Sequence, residues 1–203
     1  MPTDDFTRSM PFVLRWEGGF VDHPADPGGA TNKGVTQAVY DRWRARQGLA
    51  QRSVRQLEEG EMNAIYRQGY WTPPRCDLLP TDLALVQFDT AVNMGPGRAV
   101  RFLQQAVGVA ADGDFGQDTR RAVESADGGV LARYCDRREQ FYRAIVAKKP
   151  SQKVFMKGWM NRLNALRGAA GLPGFESVGD TVDFGDTDYI ARVPEDEDDP
   201  SLD

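Results

Sequence analysis

The sequence is poor in the residues that most often build metal centres and nucleophilic triads. Its 203 residues include one histidine, His23, and two cysteines, Cys76 and Cys135. A hydrolytic zinc ion needs several His or Cys ligands, and a Ser–His or Cys–His site would have a single histidine to draw on. If this chain catalyses hydrolysis, carboxylates are therefore expected to do it, and no metal or cofactor is predicted.

The scarcity of cysteine and the lack of long apolar runs also bear on location. Two cysteines make no disulfide framework, so both are predicted to be small buried hydrophobic residues of a chain made in a reducing compartment. No apolar run approaches the roughly 18–20 residues that a membrane-spanning helix needs. The first five residues, Met-Pro-Thr-Asp-Asp, are acidic and lack an apolar segment. The prediction is a chain synthesised in the cytoplasm without a signal peptide or an integral membrane segment.

The net charge of −5 conceals an uneven distribution of charge. Residues 176–203 hold 11 acidic residues and one basic residue, a net charge of −10. Residues 1–175 hold the other 24 basic and 19 acidic residues and are net +5, with net +8 concentrated in residues 130–175. A basic body favours an anionic partner such as nucleic acid, a membrane surface or a cell-wall polymer. The acidic segment is predicted to be a disordered tail.

Helical spacing of apolar residues predicts a mainly α fold. The first helix is expected to start at a cap, Thr3 or Ser9, and to stop at Gly18. Residues 18–34 are rich in proline and glycine and are predicted to be loop, with short extended pieces whose register cannot be read. Further helices are predicted over about 37–47, 57–68, 81–93, 98–107, 129–147 and 152–167, with a short one beginning near Thr119.

The densest functional signal is a pair of carboxylates in glycine-rich surroundings. Glu17 is flanked by Trp16 and Phe20, and apolar neighbours disfavour the ionised form of a carboxyl group. Such a group can donate a proton to a glycosidic oxygen, and the adjacent Gly18 and Gly19 leave room for a bulky substrate. Asp26 follows on a Pro/Gly loop and is expected to stay ionised. Two carboxylates in different surroundings can divide the acid and base roles of glycoside hydrolysis.

The stretch from Glu17-Gly-Gly-Phe to Asp26-Pro-Gly-Gly-Ala-Thr31-Asn-Lys-Gly-Val-Thr36 resembles glycoside hydrolase family 108. This is the N-acetylmuramidase family of phage endolysins and bacterial secretion-activator proteins. The similarity continues at Tyr66, Tyr70-Trp71 and Phe88–Gly95, and it covers about residues 6–95.

The following segment resembles the small peptidoglycan-binding domain that commonly comes after this module. The matching residues are Ala99, Leu103, Gln104, Asp112–Gly116, Thr119, Phe155, Gly158, Trp159 and Arg162. The predicted organisation is a lysozyme-like helical domain over 1–95, a helical peptidoglycan-binding module over 96–174 and the acidic tail over 175–203.

The resemblance implies a hydrolase that cleaves the β-1,4 bond between N-acetylmuramic acid and N-acetylglucosamine. It implies Glu17 as the catalytic acid, Asp26 as the residue that orients or deprotonates a water molecule, and Thr31 as a residue that helps to position that water. Four residues separate Asp26 from Thr31, where the phage-type lysozyme pattern has five. The role of Thr31 therefore rests on a spacing that departs from that pattern.

Three further side chains are candidates for substrate binding. Tyr70 and Trp71 could stack on sugar rings, although aromatic residues before Pro73 are more often packing anchors. Asn93, near a predicted helix end, could hydrogen-bond an acetamido group or be a structural choice. His23 is interpreted as an exposed loop residue.

Other interpretations of the chain compete with this one. Asp112, Asp114 and Asp118 match part of a calcium loop, but Val123 stands where the bidentate acid would be, so a turn capped by Asp118 or Thr119 is favoured. No groove-reading motif supports nucleic-acid binding, and peptidoglycan is the predicted partner of a monomer. The rival functions are a lytic transglycosylase and a non-catalytic wall-binding or secretion-associated protein. The predicted site of action is the cell wall, in the periplasm or outside the cell.

Overall fold

The computed structural model describes residues 4–22 and 29–174. Within these residues the chain forms eight α-helices and one two-stranded sheet, which confirms the mainly α, lysozyme-like fold prediction. The predicted tail over 175–203 lies outside the described residues, and so do His23 and Asp26.

The elements are numbered in chain order. The helices are α1 (Asp5–Arg15), α2 (Gln37–Arg46), α3 (Glu59–Tyr66), α4 (Thr81–Met94), α5 (Pro96–Val107), α6 (Gln117–Glu124), α7 (Val130–Lys148) and α8 (Lys153–Ala169). Short 3₁₀ turns occupy Val54–Gln56, Cys76–Leu78 and Pro150–Gln152, and a π-helical turn, Arg67–Trp71, extends α3. From α2 onward, the α-helix bounds that periodicity predicts lie within two residues of these.

The start of α1 differs from the prediction. Asp4 caps the helix, and its carboxylate accepts a hydrogen bond of 2.9 Å from the Thr7 N–H. Ser9 lies inside the helix, where its hydroxyl donates to the Asp5 carbonyl at 2.7 Å, so it is not the cap. Hydrogen bonds from Thr7 and from the guanidinium of Arg67 lower the pKa of Asp4 to about 2. Asp4 thereby ties the start of α1 to the π-helical turn.

A short hairpin follows the glycine-rich loop. Strands β1 (Thr31–Asn32) and β2 (Val35–Thr36) pair antiparallel, and the two-residue turn between them has Lys33 and Gly34 at positive φ. A turn of this kind matches the twist of paired strands. Val21 also bridges to Thr31 through two backbone hydrogen bonds of 2.8 Å. The Tyr66 hydroxyl donates to the Lys33 carbonyl at 2.8 Å and holds the hairpin against α3.

A partly buried ion cluster joins α2 to α3. The Glu61 carboxylate accepts hydrogen bonds from the Tyr40 hydroxyl and from the guanidinium groups of Arg44 and Arg52. Burial opposes ionisation of Glu61, but hydrogen bonds from Tyr40, the Glu58 N–H and Arg52, together with the charge of Arg52, lower its pKa. The cluster stabilises the packing of the two helices behind the hairpin.

Helix α4 forms the centre of the molecule. It is buried from Leu83 to Met94 apart from half-buried Leu85, and it contacts α1, α5, α7 and α8. Phe88 on α4 packs against Phe6 of α1 and against Trp71. A helix that is covered on every side is expected to be apolar all round. Four polar residues of α4 are nevertheless buried: Gln87, Asp89, Thr90 and Asn93.

The helices on the two sides of the predicted boundary at residues 95 and 96 share one hydrophobic core. Leu83 and Phe88 belong to the same cluster of buried residues as Phe102, Tyr134 and Trp159. Helix α7 packs on α5, and both α7 and α8 also contact α4. Residues 96–174 therefore continue the core of the preceding helices.

The Asp-Gly-Asp motif after α5 is tied down by a buried glutamine. The Gln104 amide donates to Asp112 Oδ1 at 2.7 Å and to Thr119 Oγ1 at 3.0 Å, and its carbonyl accepts from the Gly113 N–H at 2.9 Å. Asp112 also accepts from the Asp114 N–H. The prediction of a side-chain cap from Asp118 or Thr119 is wrong, because Gly116 is the N-cap and Thr119 is buried against Gln104.

Both cysteines, Cys76 and Cys135, are buried free thiols, as predicted. Across residues 4–22 and 29–174, no helix is long and apolar enough to cross a membrane. In the same residues, no three His, Cys, Asp or Glu side chains come together in a way that suits a metal ion.

Candidate active site

Glu17 lies just beyond the C-terminal end of α1. Trp16 caps the helix, and the Glu17 N–H donates to the Leu14 carbonyl at 3.3 Å. The next residue, Gly18, has a φ of 68°, which turns the chain sharply away from the helix axis. The side chain of Glu17 is 5% exposed, whereas both following glycines are exposed. The carboxyl group therefore lies at the edge of the core, beside an open stretch of backbone.

The carboxylate of Glu17 is ion-paired with Arg162 of α8. Arg162 Nη1 lies 2.9 Å from Glu17 Oε1, and the two side chains are 1% and 5% exposed. The residues are 145 positions apart in the sequence. A charge-assisted hydrogen bond at this distance fixes both groups strongly when water is excluded.

The same guanidinium contacts a second carboxylate, Asp89 of α4. Arg162 Nε donates to Asp89 Oδ1 at 2.9 Å, and Arg162 Nη2 lies 2.8 Å from the same oxygen, close enough for an ion pair but not aligned for a hydrogen bond. Arg138 of α7 binds the other oxygen, Asp89 Oδ2, at 2.6 Å. Burial opposes ionisation of Asp89, but the guanidinium groups of Arg162 and Arg138 hold its pKa below its usual range.

The network continues from Arg138 to Asn93. Arg138 Nε donates to the Tyr142 hydroxyl at 3.0 Å, and that hydroxyl donates to Asn93 Oδ1 at 2.9 Å. Tyr142 in turn stacks on Trp159 with the ring centroids 5.1 Å apart. We call the set Glu17, Asp89, Asn93, Arg138, Tyr142 and Arg162 the buried polar network. Each of its two guanidinium groups contacts a carboxyl group, and a buried ion needs such a partner.

Of the residues predicted to act with Glu17, Thr31 is the one that the structure describes. Thr31 is half-buried at the start of β1, and its backbone is held to Val21, four residues after Glu17. These contacts use the main chain of Thr31 and leave its side chain out of the strand pairing. Asp26 lies outside the described residues, so its catalytic role stays a prediction.

The three candidate substrate-binding residues lie in different surroundings. Trp71 is 4% exposed and packs edge-on against Phe6 and Phe88, with ring centroids 5.5 and 5.3 Å apart. Its ring is part of the core, which does not fit sugar stacking. Tyr70 is half-buried and packs 5.8 Å from Tyr66. Asn93 is 1% exposed inside the buried polar network, and its Nδ2 has no hydrogen-bond partner among the described residues.

Sequence reasoning missed the ionic part of this network. Arg138 was counted only as a basic residue of a segment interpreted as a charged surface. Arg162 was in addition matched to the peptidoglycan-binding domain, but neither arginine was predicted to be buried or to contact a carboxylate. Their positions carry a signal, because Arg138 falls four residues after Tyr134 and Arg162 falls three residues after Trp159, on the apolar stripes of their helices. A basic residue on such a stripe predicts a buried acidic partner.

Two family models match the chain. Residues 10–95 match the family model described as glycosyl hydrolase 108, and residues 98–164 match a model described as a predicted peptidoglycan domain. The chain belongs to glycosyl hydrolase family 108, a family of glycoside hydrolases, and peptidoglycan is the ligand that its second segment indicates.

Among solved structures, the chain is similar to SagA from Brucella abortus. The two share 36% sequence identity and superimpose with a TM-score of 0.67, over 85% of this chain and 97% of SagA. No curated protein matches the chain significantly.

Proposed function

We propose that this protein is a muramidase that hydrolyses the β-1,4 bond between N-acetylmuramic acid and N-acetylglucosamine in peptidoglycan. The observation that carries the proposal is the carboxyl group of Glu17, which is nearly buried, held by Arg162 and next to exposed glycine backbone. It lies within the segment that matches the glycoside hydrolase family. Glycoside hydrolysis needs an acid at such a position, next to a surface that a sugar can approach.

In the proposed reaction the protonated form of Glu17 donates its proton to the glycosidic oxygen while the bond from that oxygen to the anomeric carbon breaks. A water molecule, assisted by Asp26 and positioned by Thr31, forms the new bond to the anomeric carbon and gives a proton to the Asp26 carboxylate or to solvent. Glu17 is left as a carboxylate next to the Arg162 guanidinium. The stereochemical outcome depends on the separation of the two carboxylates.

The wider proposal concerns the substrate and its location. Tyr70 is half-buried near the hairpin, since its neighbour Tyr66 contacts Lys33, and it is proposed to contact the glycan. The protein is proposed to act as a monomer on the wall, in the periplasm or outside the cell. Neither the oligomeric state nor the location affects the role assigned to Glu17.

The variant Glu17→Gln tests the catalytic assignment. The amide keeps the shape of the side chain but has no acidic proton, so lysis of permeabilised cells is expected to fall at least about 10²–10⁴-fold. The matched control is Glu59→Gln, the same change at an exposed residue in the first turn of α3. If folded Glu17→Gln protein keeps more than about a tenth of wild-type lysis, a loss smaller than removal of a general acid produces, the assignment is wrong.

Asp26 and Thr31 test whether water is the nucleophile. Asp26→Asn is expected to be severe, whereas Thr31→Ala is expected to be milder, because solvent can replace a positioning hydroxyl and the bridge to Val21 uses the main chain. The products, analysed by mass spectrometry before and after borohydride reduction, should carry reducing ends. Anhydro products together with near-wild-type activity of both variants would establish a lytic transglycosylase instead.

A further inference from the structure

Resting on the proposed role of Glu17, we propose that Arg162 is a positioning residue for the catalytic acid. Arg162 lies on α8, within the segment that matches a predicted peptidoglycan domain, 145 residues from Glu17. The contact also assigns a role to the whole segment that contains Arg162. Residues 98–164 complete the active site of the hydrolase, whatever they also contribute to wall binding.

The geometry around Arg162 makes it a rigid support. Its guanidinium uses Nη1 for Glu17 and Nε with Nη2 for Asp89, so the planar group is held on two edges. Asp89 is itself held from the opposite side by Arg138. Arg162 therefore cannot turn away from Glu17 without leaving Asp89, and a buried carboxylate without its cation is unfavourable.

Glu17 has need of such a support. It follows the end of α1 and precedes Gly18 at a positive φ, so its own backbone lies outside the helix. The hydrogen bond from Arg162 to Oε1 restricts the orientation of the carboxyl group. A misplacement of about 1 Å at a reacting group can reduce the rate about 10²-fold.

Arg162 is also expected to stabilise the negative charge that develops on Glu17 during the reaction. As Glu17 gives its proton to the glycosidic oxygen, negative charge develops on the carboxyl group 2.9 Å from the guanidinium. A fixed cation at the place where charge develops stabilises the transition state. Because Asp89 shares the same guanidinium, Arg162 brings less than a full positive charge to Glu17.

Substitutions at Arg162 test the proposal in the full chain. Arg162→Met is expected to reduce kcat on soluble glycan strands at least about tenfold with KM changed much less, since the acid is mispositioned only in the chemical step. Arg162→Lys should recover part of the loss, because an ammonium ion restores the charge but lacks the planar fork. The control Arg167→Met removes the same charge from the same helix at a residue bound to Pro173 and Asp136, and it should leave kcat unchanged.

Arg138→Met separates positioning from a merely structural effect. Arg138 is as buried as Arg162 and binds the same Asp89, but no contact joins it to Glu17 among those described. A positioning role predicts a clearly larger kcat loss for Arg162→Met than for Arg138→Met at matched folded fraction by circular dichroism. If either Met variant does not fold, the two Lys variants replace them in the same comparison. Equal losses at the two positions would overturn the proposal.

Glu17→Gln measured in parallel keeps the two proposals distinguishable. Lysis retained by folded Glu17→Gln protein would refute the proposed function, whatever Arg162 does. Inactive Glu17→Gln protein together with wild-type kcat for folded Arg162→Met protein would refute the positioning role and leave the proposed function standing.

Discussion

Gly18 and Gly19 are glycines for different physical reasons. Gly18 has a φ of 68°, where any side chain strains the backbone. Gly19 has an ordinary φ, and a Cβ atom added there would meet no protein atom within 4 Å. The fold therefore does not require glycine at position 19. Glycine at position 19 instead leaves space next to Glu17, and we expect a substrate to occupy that space.

The variant Gly19→Ala tests this reason. We expect an unchanged melting temperature and a several-fold loss of lysis, because the methyl group would project into the space where the glycan approaches Glu17. Gly60→Ala is the matched control, since position 60 also has an ordinary φ and no protein atom within 4 Å of an added Cβ. Wild-type lysis by Gly19→Ala protein would place the glycan elsewhere.

At single residues, the sequence identified what is local and missed what is distant. Glu17 and its glycines are adjacent in the chain, so their motif could be recognised. Arg162 contacts Glu17 and Asp89 only in the folded protein. Its place on the apolar stripe of α8 indicates burial, but no local pattern identifies these two carboxyl groups as its partners. For the same reason Trp71 could not be separated from a surface aromatic residue before its packing against Phe88 was known.

Among the elements, long helices were predictable and short extended pieces were not. A helix of the length of α7 repeats its apolar spacing several times, which fixes its position in the sequence. The two strands contain two residues each, and the turn at Lys33-Gly34 together with the Val21–Thr31 bridge sets their register. The π-helical turn that ends at Trp71 also depends on tertiary contacts, in particular on Phe6 and Phe88.

Asp89, in the centre of helix α4, should make the free energy of unfolding depend on pH. The pKa of Asp89 is lowered in the folded protein, so its contribution to the free energy of unfolding is present above its unfolded pKa of about 3.9 and is lost as the pH falls through its folded pKa. Asp89→Asn removes this contribution. It also leaves two buried guanidinium groups with one partner fewer, which costs about 3–5 kcal/mol at neutral pH.

Urea unfolding at pH 7 and below pH 4 measures both effects. Wild-type protein should lose stability on acidification, and Asp89→Asn protein should start lower at neutral pH and lose less on acidification. Asp82→Asn, an exposed change in the first turn of the same helix, is the control and should follow the wild-type protein. A parallel loss in wild-type and Asp89→Asn protein would mean that other carboxylates dominate acid unfolding.

For the whole molecule, the structure changes the meaning of the charge count. The net +8 of residues 130–175 includes Arg138 and Arg162, whose charges are buried and balanced by Asp89 and Glu17. Arg138 and Arg162 form ion pairs inside the protein, so they cannot contact an anionic wall. The exposed cations of this region include Lys148, Lys149, Lys153 and Lys157, around the turn between α7 and α8.

That turn is therefore where charge-driven binding to peptidoglycan is expected. The double variant Lys153→Glu with Lys157→Glu changes the net charge by −4 and should reduce retention on isolated cell wall several-fold at about 50 mM salt. The difference should shrink at about 500 mM, where exposed charges more than a few Å apart are screened. The matched control is Arg42→Glu with Arg46→Glu, an exposed pair on α2 with the same spacing and the same charge change. Equal losses for the two pairs would show that net charge alone governs retention, and no loss for either pair would require a shaped sugar site instead.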